Sequence, residues 1–249
     1  MGLNSKQKKD IRNFIQKKLH EKIEKYTPSK TLDNHFALIG IVPKKSRQQY
    51  SAIHSLLTAF GMSFYEQIAI SLATSNSDLA VRQWKSQSKI SSDRKQKIEE
   101  IITKIGNEEK LPNLNLEIEE VLSIPNKNLV ETKAGQIVDV YFKRGKDEYY
   151  IDIKTVGPNK GGFLDHKRLT LTWIARANKK IHPIIALPYN PYHPKPYEKL
   201  GSNVMQVGID LVVGKDFWDL VGGSGCYEDL SKIFQEVGEW YWVELEKKF

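Results

Sequence analysis

The stretch from Gln136 to Thr155 reads QIVDVYFKRGKDEYYIDIKT, two runs rich in β-branched and aromatic residues on either side of a charged, glycine-containing turn. Runs of that composition bounded by turn residues form strands, so Ile137 to Lys143 and Tyr149 to Thr155 are expected to pair as a β-hairpin. A two-residue Gly145-Lys146 loop, with glycine first as a type II′ turn prefers, fixes the register and sets Asp139 directly opposite Asp152. Opposed side chains stand about 4.5–5.5 Å apart at Cβ, and like charges at that distance weaken a sheet unless something offsets them. A divalent cation would do so. Lys154 lies two residues beyond Asp152 and therefore shares its face. Two carboxylates and an ammonium group then converge on one patch, which is the donor set that metal-assisted phosphodiester hydrolysis needs. Hard oxygens suit Mg²⁺, with Mn²⁺ as a substitute, and a fixed cation stands beside the charge that develops at phosphorus. Lys154 would orient or deprotonate the attacking water. The tripeptide acid-x-Lys also begins at Asp93, Glu108, Glu131, Asp165 and Glu246, so it carries little alone. Of these six, only the one at Asp152 falls on an expected strand whose partner bears an acid.

A second acid stands out in an apolar setting. A helix is expected from about Tyr50 to Thr74, in which Glu66 shares a stripe with Met62, Ala69, Ile70 and Ala73, while Leu57, Phe60, Phe64, Ile68 and Leu72 form another. A helix apolar on both stripes is largely buried, and a buried carboxylate needs a partner. Lys154, a second metal or a metal-bound water would serve; a structural arginine, or partial exposure, is the alternative.

The charge is uneven. Residues 1–50 hold 12 basic and 4 acidic side chains, which accounts for the whole net charge of +8, and a local excess of 10 basic over 4 acidic recurs in residues 143–180. That pattern fits either a polyanion partner, through phosphate contacts that release counterions, or a solvated basic face. Lys160, Lys167, Arg168 and Arg176 follow the acid-x-Lys strand and would face a duplex if the next helix lies along it, whereas surface solubility would explain any one of them equally well. A lone cysteine, Cys226, rules out a disulfide framework and a cysteine metal site. No apolar run approaches the roughly 20 residues that span a bilayer, and a polar start argues for a cytoplasmic protein without membrane attachment.

The rest of the chain punctuates clearly. Residues 5–26 form an amphipathic basic helix with Ile11, Phe14, Ile15, Leu19, Ile23 and Tyr26 on one face, ending at a Thr27-Pro28-Ser29-Lys30 turn. A third helix runs from Ser92, its expected N-cap, to Ile105. A helix over Asp165 to Asn178 leads to a strand over Ile181 to Leu187 and a stiff proline-rich loop to Tyr197, a rigid connector more than a DNA contact. Helix resumes from Lys215 and breaks at Gly222 to Gly225. The expected fold is α/β, a mixed central sheet flanked by helices behind a helical N-terminal region, with residues 1–49 as a basic arm and 50–249 as the catalytic unit. Trp218, Trp240 and Trp242 are expected in the core or at a dimer contact rather than as a base-stacking platform.

An acid on a helix, then an aspartate and an acid-x-Lys on the two strands of a hairpin, resembles the PD-(D/E)xK nuclease superfamily. The matching residues are Glu66, Asp139 in Gln136-Ile137-Val138-Asp139, and Asp152-Ile153-Lys154. More narrowly, the chain is similar to the TdeIII type II restriction endonucleases through His54-Ser55-Leu56, Phe60 to Gln67, Ile151 to Val156, Ala186 to Pro194 and Phe217 to Leu220. Val138 stands where the superfamily usually has proline, and Asp152 where it usually has glutamate. The resemblance implies a Mg²⁺-dependent endonuclease with Asp139, Asp152, Lys154 and Glu66 at its centre and Asp139, Asp152, Ile153 and Glu66 as metal-holding positions. It also implies a homodimer acting on double-stranded DNA at a short palindrome of the GGNCC kind. A repair or recombination nuclease on the same core, and a DNA-binding protein without catalysis, are the competing readings.

Overall fold

The computed structural model describes residues 2–27, 36–132, 135–155, 157–197 and 203–248. Pro28 to Lys30 of the expected turn, and Val156, lie outside them. The chain falls into two compact units, one of residues 1–68 with 223–249 and the other of residues 69–222, so the units do not part at the expected boundary after residue 49. The C-terminal helix joins the N-terminal region instead.

In the first unit, α1 (Ser5–Glu24) is closed by a capping box, Asn4 accepting from the Gln7 amide while the Gln7 side chain accepts from the Asn4 amide. Its buried stripe of Ile11, Ile15, Leu19 and Ile23 packs along α9 (Cys226–Glu246), which buries Leu230, Ile233, Val237, Tyr241 and Leu245. Asp229 pins the pairing by accepting from the Leu3 amide at 2.7 Å and from Lys8 at 2.7 Å. After α2 (Phe36–Ile41), α3 (Lys44–Ala59) starts before the expected Tyr50 and runs through a π-helical turn at Phe60–Phe64 into α4 (Tyr65–Asn76). The wide turn rotates the residues that follow it out of the plain 3.6-residue period. Leu57, expected in the buried stripe, is accordingly 59% exposed while Phe64, Ile68 and Leu72 are buried.

In the second unit, β1 (Leu79–Lys85), β4 (Ile137–Arg144), β5 (Asp147–Ile153), β6 (His182–Leu187) and β7 (Leu211–Val213) form a five-stranded sheet in the order β1-β4-β5-β6-β7. The first three strands are antiparallel and the last three parallel, a mixed sheet as expected. A parallel neighbour needs a crossover, which α7 (Lys160–Ala177) supplies between β5 and β6. Its N-terminus is set by Asn159, whose side chain accepts from Gly162 N at 2.9 Å, and so lies earlier than the expected Asp165. A two-stranded sheet of β2 (Lys89–Ser91) and β3 (Leu129–Glu131) stands apart. The helices α5 (Ser92–Gly106) and α6 (Leu114–Ser123) pack on α7, and α8 (Lys215–Gly222) follows β7. The N-cap of α5 is Ser91, one residue before the expected Ser92. The core gathers Trp173, Leu171 and Phe163 from α7, Ile98, Ile101 and Ile105 from α5, Val121 from α6, and Val138, Tyr141 and Tyr150 from the sheet.

The hairpin holds the expected register, with Val140 opposite Ile151 and Arg144 opposite Asp147. Gly145 turns at φ 56 and Lys146 does not share that sign, the pairing a type II′ turn asks for.

Candidate active site

One step beyond the last ladder pair, Val140 and Ile151, come Asp139 and Asp152. Here β4 and β5 stop exchanging main-chain hydrogen bonds, and the Ile153 amide instead donates to Asp139 Oδ2 at 2.9 Å. β5 continues against β6, with Ile153 beside Ala186 and the Lys154 amide donating to Ala186 O at 2.9 Å. The two aspartates therefore occupy a fork where one strand pair ends and the next persists. By the period of two they share a face with Tyr141 and Tyr150, which meet edge to face at 5.4 Å beneath the stacked ring of Trp84.

Lys154 Nζ lies 2.7 Å from Asp152 Oδ2, its side chain 38% exposed against 10% for the aspartate. The approach is off the hydrogen-bonding direction, so Asp152 Oδ2 is a buried acceptor that no hydrogen bond satisfies. Burial, together with the neighbouring charge of Asp152, pushes the Asp139 carboxyl up to about 6 against the opposing pull of the Ile153 amide and Lys154. The raised Asp139 carboxyl is one short of positive charge. The donors fit a hard divalent cation, since Mg²⁺ takes one or two carboxylates and keeps several waters. Among the described residues no group of three or more His, Cys, Asp or Glu side chains is placed to hold a metal.

The structure thus brings Asp139, Asp152, Ile153 and Lys154 together. Glu66 is buried, 8% exposed, on the first turn of α4 and belongs to the other unit. Two of the four basic residues expected to face a duplex are placed otherwise. Lys167 is fully buried, with Nζ 2.6 Å from both Glu117 and Asp210. Arg176, 3% exposed, donates to the carbonyls of Gly135 and Thr132 at 2.7 and 2.9 Å. Both sit on the α7 face turned to the core and cannot reach a phosphate. Lys160 and Arg168 are on the outer face, paired with Glu108 and with Glu99 and Asp165.

Three features at this end of the sheet carried no usable sequence signal. Gln83 of β1 donates from Nε2 to Asp139 Oδ1 at 3.2 Å. His166 of α7 is held down to about 4 by burial and by the charge of Lys154. Beyond Lys154, Thr155, Gly157, Leu187, Tyr189, Pro191, Tyr192 and Tyr197 line a cavity of about 190 Å³. The Tyr197 hydroxyl is buried without a hydrogen-bond partner, and residues of the proline-rich loop line this cavity together with Thr155.

A family model described as "Type II restriction endonuclease, HinfI" matches residues 3–238. The chain belongs to the HinfI family of type II restriction endonucleases. Its relatives include the type II restriction enzyme HgiEI of Herpetosiphon aurantiacus, 26% identical over 99% of this chain and 94% of that one. HgiCII from the same organism is 27% identical over 84% and 79% of the two chains. MjaII of Methanocaldococcus jannaschii is 29% identical over 79% of this chain and 56% of its own length. No solved structure matches. The matching model is named for HinfI and the resemblance in sequence for TdeIII, both type II restriction endonucleases, and the PD-(D/E)xK superfamily agrees with the HinfI assignment. A HinfI-type enzyme is a site-specific DNA endonuclease, so DNA is the substrate. No helix among the described residues is long and apolar enough to cross a membrane.

Proposed function

We propose that this HinfI-family enzyme hydrolyses both strands of duplex DNA at a short palindrome of the GGNCC kind, as a homodimer in the cytoplasm, with Mg²⁺ or Mn²⁺ held by Asp139 and Asp152. The observation that carries the proposal is the fork itself, where two carboxylates and the Lys154 ammonium occupy one face and an oxygen of Asp152 is buried without a hydrogen bond. When bound, the cation would lower the pKa of water and neutralise charge on the phosphate. Asp139 and Asp152 hold it from opposed strands, with the Ile153 main chain bracing Asp139. Lys154, anchored against Asp152 but partly exposed, aligns the attacking water and donates to a phosphate oxygen as negative charge develops there. The water oxygen bonds to phosphorus as it gives up a proton to solvent, and the P–O3′ bond breaks with the 3′-oxygen taking a proton from solvent, giving 5′-phosphate and 3′-hydroxyl ends. Lys160 and Arg168 exchange their surface ion pairs for backbone phosphates. Such exposed pairs are weak and screened by salt, so the exchange costs little.

Plasmid digestion tests the reading. Discrete fragments with one common end sequence are expected with Mg²⁺ or Mn²⁺ and none with EDTA, while Asp152→Ala should bind the same DNA and leave it intact. Unbounded, sequence-independent products would favour a repair or recombination nuclease, and metal-independent cleavage would overturn the proposed centre.

A further inference from the structure

β1 is the sheet edge beside β4, and its register is regular on both sides of one residue, with Arg82 opposite Val140 and Trp84 opposite Val138. Between them Gln83 faces Asp139 with a backbone φ of 53. No extra residue is inserted, so a bulge does not account for a left-handed glutamine inside a strand. For a residue with a Cβ that conformation is strained, and such strain gathers where a surrounding constraint demands it. Here the residue that bears the strain also bears the side chain that meets the carboxylate, Nε2 to Oδ1 at 3.2 Å.

The contact has a chemical logic. A carboxylate only accepts, so the amide presents its nitrogen. With Ile153 N on Oδ2 at 2.9 Å and Gln83 on Oδ1, the plane of Asp139 is fixed from two strands while each oxygen keeps a further lone pair. Both donors are neutral. A lysine or arginine in place of Gln83 would orient the carboxylate equally well but would cancel the charge that a cation needs.

We infer that Gln83 is a positioning residue of the cleavage site, its amide locking Asp139 in the orientation that receives the divalent cation. The inference rests on Asp139 and Asp152 holding that cation, as proposed above. Gln83→Gly separates the contact from the strain, because glycine adopts the left-handed conformation freely and lacks the amide. The variant should melt at or above the wild-type temperature. Its half-saturating Mg²⁺ in single-turnover cleavage should rise by about tenfold or more, the usual effect of removing a partner that orients a metal ligand. Manganese titration of the DNA-free protein, followed by the EPR signal of free Mn²⁺, should show the same weakening without any cleavage. Gln83→Asn, which keeps an amide and tolerates the backbone, should recover part of the loss. A Gln83→Gly enzyme with wild-type metal affinity and wild-type cleavage overturns the role of Gln83 alone. Wild-type protein that cleaves DNA in EDTA, or binds no Mn²⁺, overturns the metal reading along with it.

Discussion

Asp139 holds a proton more tightly in the folded, metal-free protein than in the unfolded chain, because burial and Asp152 push its carboxyl from 3.8 to about 6. Between those two values the folded state keeps a proton that the unfolded state has released. Its contribution therefore falls as pH rises through that window, and the penalty is complete above about pH 6. Asp139→Asn should be nearly neutral near pH 4 and stabilising by up to about 3 kcal/mol at pH 7.5, measured by urea unfolding in EDTA. Saturating Mg²⁺ should shrink that advantage, and a variant less stable than wild type at pH 7.5 would show that Asp139 is not short of positive charge. Lys167 makes the opposite case. One ammonium serves two fully buried carboxylates, Glu117 and Asp210, so Lys167→Met strands a pair of buried charges and should cost about 3–5 kcal/mol. Asp139, Asp152 and Lys154 were legible because hairpin register is local arithmetic. Lys167 and Arg176 were not, because a basic residue on an amphipathic helix reads the same whether it meets phosphate or the buried carboxylates and carbonyls that distant segments bring to these two.

Among the elements, β4 and β5 were legible from turn chemistry and β-branched composition, and α7 and β6 from the change of period between them. β1 was missed because an edge strand with Arg82, Gln83 and Lys85 lacks an apolar alternation, and its place beside β4 follows from a long-range pairing, 62 residues apart between Ala80 and Phe142 and 58 between Arg82 and Val140. What ties that edge to the helices is Arg144 at the end of β4. Its guanidinium donates to Asn76 O at 2.9 Å, and to Leu220 O and Val221 O at 2.6 and 2.7 Å, closing the C-terminal carbonyls of α4 and α8 while lying 4.7 Å over the Phe142 ring. Cations at helix C-termini satisfy orphan carbonyls and oppose the negative end of the dipole. Arg144→Ala should lower the unfolding free energy by on the order of 2 kcal/mol or more, and Arg144→Lys should recover less than half of it, since an ammonium lacks the planar fork. Full recovery by lysine would mean that charge alone matters here.

For the whole molecule, the excess charge of +8 lies within residues 1–50, while the catalytic pair lies in the unit formed by residues 69–222. The surplus of positive charge and the proposed catalytic pair thus fall in different stretches of one chain. A single fork of two aspartates can cut one strand, whereas a palindrome presents two equivalent bonds, and a two-fold assembly supplies one fork to each. The mass in solution should accordingly be twice the 28.6 kDa of the chain. A stricter check mixes wild-type and Asp152→Ala chains under conditions that allow subunits to exchange. If each subunit cuts its own strand, mixed dimers nick supercoiled plasmid at the recognition sequence, and open circles accumulate as the inactive fraction rises while linear product falls with the square of the active fraction. A monomer that cuts both strands in turn would show linear product falling only in proportion, with no surplus of open circles at any mixture.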